Sequence, residues 1–117
     1  MTFTVEVLLK GAKDVVADVL QHDAVDQRNL TDDDVRELLR LTILQFDRVN
    51  NPDANERKVS LLGLSWIVTK LDKGVAIAIE IPSGAVVAGP FEADAGKLTQ
   101  AITRVLTNQP DSKGQIH

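Results

Sequence analysis

The sequence predicts an α+β fold, and three observations carry that prediction. Residues 2–10 alternate apolar and polar with a period of two. Residues 31–49 and 93–107 repeat their apolar positions at helical spacing. Between these helices, residues 59–88 hold apolar runs separated by Asp72-Lys73-Gly74 and Pro82-Ser83-Gly84, both of turn composition. The expected architecture is a roughly four-stranded, mainly antiparallel sheet with three helices in the order β-α-α-β-β-β-α. The helices should lie largely on one face.

The elements follow in chain order. Phe3, Val5, Val7 and Leu9 alternate with Thr2, Thr4, Glu6 and Lys10, the pattern of a half-buried strand that ends at Gly11. Val15, Val16, Val19 and Leu20 recur at helical spacing opposite Asp14, Asp18 and Gln21, which predicts a short helix over 12–21. Three valines weaken its propensity. A polar connection over 23–30 leads to Thr31, a capping residue whose partner three positions on is Asp34. The aspartates at 32–34 complement the positive end of the helix dipole. This helix runs to about Val49 and stops at Asn50-Asn51-Pro52.

The apolar face of that helix is wide. Val35, Leu38, Leu39, Thr42, Phe46 and Val49 form one stripe, and Leu41, Ile43 and Leu44 extend it round the cylinder. Only Arg36, Glu37, Arg40, Asp47 and Arg48 remain as a polar strip. Such a helix should be covered on two sides. Beyond the polar loop 52–58, Val59 to Leu71 reads as one long strand, apolar on both faces, with Trp66 near its centre. Val75, Ile77, Ile79 and Ile81 mark the next strand, and Ala85–Ala88 a short third one ended by Gly89-Pro90. The last helix carries Ala95, Leu98, Ile102, Val105 and Leu106 on one stripe. Residues 1–109 are expected to form a single domain, followed by a flexible polar tail over 110–117.

Composition narrows the function. The chain has 117 residues, a net charge of -4 and no cysteine. Thiol chemistry is therefore excluded, and a reducing, cytoplasmic location fits. The acidity is concentrated in residues 1–58, with 8 Lys and Arg against 12 Asp and Glu, while residues 59–117 hold 5 of each. An acidic surface argues against nucleic acid and against anionic membranes as partners. No run approaches the ~20 apolar residues of a membrane span. The start of the chain, MTFTVEVLLKG, lacks the basic leader of a signal peptide.

No motif declares a catalyst. Asp14, Asp18 and His22 stand four residues apart and on a helix would line one face as a metal site, against the plainer reading of a solvated face. Asp32–Asp34 lack the spacing and glycine of a calcium loop. The run SGAVVAGP has the wrong spacing for a dinucleotide fingerprint. Ser60, Ser65 and Ser83 have no fixed base beside them. Neither a cofactor nor a metal is expected.

Two functional readings remain. The first is a non-catalytic binding module acting as a homo-oligomer, because the apolar content exceeds what one sheet face and three helices can cover. Its interface candidates are Trp66, Arg36, Arg40, Leu41, Leu44 and Asp47. The second is a small-molecule site or enzyme in a helix-sheet pocket lined by Trp66 and Arg40. A variant of the first makes the chain an acidic, immunity-type inhibitor of a basic protein.

Overall fold

A computed structural model describes residues 1–57 and 59–108. The strands are β1 (Thr2–Leu9), β2 (Val16–Gln21), β3 (Ser65–Leu71), β4 (Gly74–Ile81) and β5 (Gly84–Phe91). The helices are α1 (Asp32–Asn50) and α2 (Ala95–Thr107), with a single 3-10 turn at Gln27–Asn29. The five strands form one antiparallel sheet in the order β2-β1-β5-β4-β3. The α+β class holds, with five strands and two α-helices among the described residues in place of four and three. The expected tail over 110–117 lies outside the described residues.

Three expectations are corrected. The helix expected over 12–21 is instead the edge strand β2, paired with β1 from Thr2↔Gln21 to Val7↔Val16. β-branched valines favour the pleated conformation, and the register sets Leu20 opposite Phe3 on the core side. The long strand expected from Val59 begins only at Ser65, because a turn at Leu62-Gly63 intervenes, with Gly63 at φ 68°. The third meander strand does not end at Gly89-Pro90. It runs through a cis Gly89-Pro90 bond to Phe91, whose ring meets Phe3 at a centroid distance of 5.6 Å.

The other elements stand close to their expected bounds. Thr31 caps α1 by accepting from the Asp34 N–H, and the Asp34 carboxylate accepts from the Thr31 N–H. Asp94 caps α2 by accepting from Lys97 N–H. Gly74, at φ 106°, closes the β3–β4 turn where an added Cβ would collide with the Phe91 carbonyl oxygen.

Both helices pack on one face of the sheet, α1 against β1 and β5, α2 against β3. Between them lies the core, with Val5, Val7, Val86, Ile77 and Ile79 from the sheet, Leu38 and Leu39 from α1, and Ile102 and Val105 from α2. Arg104 of α2 grips Asp32 of α1 with two hydrogen bonds of 3.0 and 2.9 Å. Among the described residues, no helix is long and apolar enough to cross a membrane.

Candidate functional site

Most of the polar strip of α1 is engaged in short-range pairs. Arg36 donates to Asp33 at 2.8 Å, and Arg40 makes a two-pronged pair with Glu37 at 2.8 Å on each arm. Asp47 accepts from Asn51 and from Arg57, the latter at 2.7 Å. The Arg40 guanidinium holds the Glu37 carboxyl below the usual carboxylate range. Asn51 first, then Arg57, does the same for Asp47. These charges lie along one flank of α1, where Asp47 borders a depression of about 440 Å³ with Asn50, Asn51 and Glu56, and Arg36 and Arg40 do not line it.

Trp66 lies elsewhere. It is half-buried on the helix-covered side of β3, opposite Ile79 and packed against the core. A depression bordered by Trp66 does not include Arg40. The pair chosen from sequence to line a pocket is thus not brought together.

Leu41 and Leu44, both half-buried, occupy the flank of α1 that borders β2. That flank is located by two contacts. The Gln45 amide donates to Asp18 of β2 at 2.9 Å, and the Asp34 carbonyl meets His22 Nε2 at 2.8 Å. Asp18 and His22 are therefore fastening groups between strand and helix. His22 is buried, and its Nδ1 accepts from the Ala24 N–H at 2.9 Å. The metal-like spacing of Asp14, Asp18 and His22 assembles no such site. Among the described residues, no group of three His, Cys, Asp or Glu side chains could hold a metal ion.

Two surfaces escaped the sequence reading. The first is the outer edge of β2, which pairs with no other strand among the described residues. Five of its six residues are exposed, with Val16 at 42% and Val19 at 66%. It carries no lysine or proline, and its pairing with β1 has no bulge. Its one charge, Asp18, is held by Gln45. Those are the devices that normally protect an edge from pairing with another chain.

The second surface is the sheet face away from the helices. Register places Glu6, Val87, Ala78 and Ile67 in one row across it, with Leu8, Ala85, Glu80 and Ser65 in the next. Ile67 is 60% exposed. Two open depressions, of about 660 and 340 Å³, share Ser65, Glu80 and Ala85 and so form one trough along this face. Period-two patterning pointed to apolar residues on both sides of β3 and β4. It did not show that, among the described residues, no helix covers the second side. Compared with protein-family models, curated proteins and solved structures, the chain has no significant match in any of the three.

Proposed function

We infer that the chain is a non-catalytic interaction module that works as a homo-oligomer, with the β2 edge paired to the same edge of a second copy. The observation that carries this reading is the β2 edge, a regular strand without lysine, proline or bulge. A regular strand with exposed valines and unused backbone N–H and C=O groups is a template for another strand. Antiparallel pairing of β2 with its twofold mate closes on itself and joins two five-stranded sheets into one. Leu41 and Leu44, on the neighbouring flank of α1, then meet across the same axis. This gives the excess apolar side of α1 the second cover that its width calls for.

The reading is tested by mass in solution. One chain weighs 12.7 kDa. Light scattering at micromolar concentration should return about twice that mass, since edge pairing closes at two copies. Val16→Lys with Val19→Lys places charge on the edge and should return a folded monomer. A wild-type monomer overturns the reading, as does a dimer indifferent to both lysines.

A further inference from the structure

We propose that the helix-free face of the sheet docks a basic protein, one presenting an apolar surface with two cationic side chains about 12 Å apart. This goes beyond edge pairing and does not depend on it, because pairing at β2 extends the sheet and leaves this face open.

The argument begins with charge. Glu6 and Glu80 are exposed on the face, and neither belongs to any ion pair among the described residues. No register position of this face within the five strands is Lys or Arg. Lys10 borders the trough only beyond the end of β1. Glu80 lies in the shared part of the trough, between Ala85 and Ser65, so a side chain entering there meets a carboxylate on an apolar floor. Glu6 sits across β5, two strands and one side-chain row away. At about 4.8 Å between strands and about 6.6 Å between same-face rows, the two Cα atoms are about 12 Å apart.

Size points the same way. Five strands at that spacing, most of them seven or eight residues long, give a face about 24 Å square. Roughened by side chains, it offers on the order of 800 Å², the share of one partner in a standard stable interface. A second copy does not suit it. Two such faces together would bring four carboxylates into one interface with no strand cation to meet them, and unpaired charge is costly to desolvate. A partner with cations at the matching positions turns that cost into complementarity and faster encounter. The net charge of -4 steers in the same sense.

The test uses a fluorescently labelled amphipathic peptide of Leu and Lys, titrated with the full chain and followed by anisotropy. A Leu and Glu peptide of the same apolar pattern is the counter-probe. The Leu/Lys peptide should bind, more weakly as salt rises, and the Leu/Glu peptide should not. Glu6→Gln with Glu80→Gln should weaken binding at least tenfold. Asp53→Asn with Glu56→Gln, equal in charge but off the face, should change it less than threefold. The proposal fails if the Leu/Lys peptide does not bind, if the Leu/Glu peptide binds as well, or if the two double variants weaken binding alike. Light scattering on the Glu6/Glu80 variant should return the wild-type mass, which separates this result from that of the β2 edge.

Discussion

His22 shows how much one side chain fixes. Its Nδ1 accepts from a backbone N–H, so that nitrogen carries no proton. Its Nε2 faces a carbonyl oxygen, which can only accept, so Nε2 carries the proton. The fold thus selects one neutral tautomer and uses it to join the end of β2 to the first turn of α1. Long-range ¹H–¹⁵N spectra should show the Nε2–H form, and the opposite tautomer would refute the assignment. His22→Ala removes both bonds in a buried place and should cost about 1–3 kcal/mol in denaturant unfolding. The exposed carboxylates act differently. Bonding to Arg104, first of all, lowers the pKa of Asp32, as Arg40 does for Glu37 and Asn51 for Asp47. A lowered folded-state pKa gives stability that is complete above the ordinary carboxylate range. It fades as pH falls through about 4 and below. Asp32→Asn should flatten the acid limb of the stability curve, and an unchanged limb would count against the Arg104 link. The Thr31–Asp34 capping box was legible in four consecutive residues. The burial of His22 was not, because it depends on where β2 runs.

At the scale of elements, the informative case is residues 12–21. Val16, Val19 and Leu20 fit a helical stripe as well as a strand, and no local signal separates the two. Pairing with β1 decides it. That contact spans a turn, Lys10 to Val15, which composition alone does not mark as a hairpin. The later hairpins were legible because Gly74 and Gly84 stand at their turns. The start of β3 was hidden by Gly63, whose left-handed backbone breaks an otherwise continuous apolar run. These glycines also give a paired prediction. Gly74→Ala combines a positive φ with a clash against Phe91 backbone and should lose about 2–4 kcal/mol. Gly11→Ala, also at positive φ but with open space around it, should lose about 1 kcal/mol. Equal losses in chemical denaturation would show that the β3–β4 turn is looser than described.

For the whole molecule, the apolar surplus read from the sequence becomes two distinct surfaces. One is an edge that is unpaired on its outer side among the described residues, and the other is a face with two exposed carboxylates that belong to no ion pair among those residues. The sequence signalled the surplus through the width of α1 and the two-sided apolar pattern of β3. It did not locate the surplus, because location depends on sheet order and on both helices taking the same side. The candidate residues divide accordingly: Leu41 and Leu44 border the edge, Trp66 serves the core, and Arg36, Arg40 and Asp47 are engaged in their own pairs. Self-pairing at β2 is the central claim, and residue-resolved amide hydrogen exchange tests it most directly. In an isolated chain, alternate β2 amides face solvent and exchange fast. In the paired dimer every amide of Val16–Gln21 has a partner, so at high protein concentration all six should be protected and dilution should release alternate ones. Alternate amides that exchange fast at every concentration would contradict it.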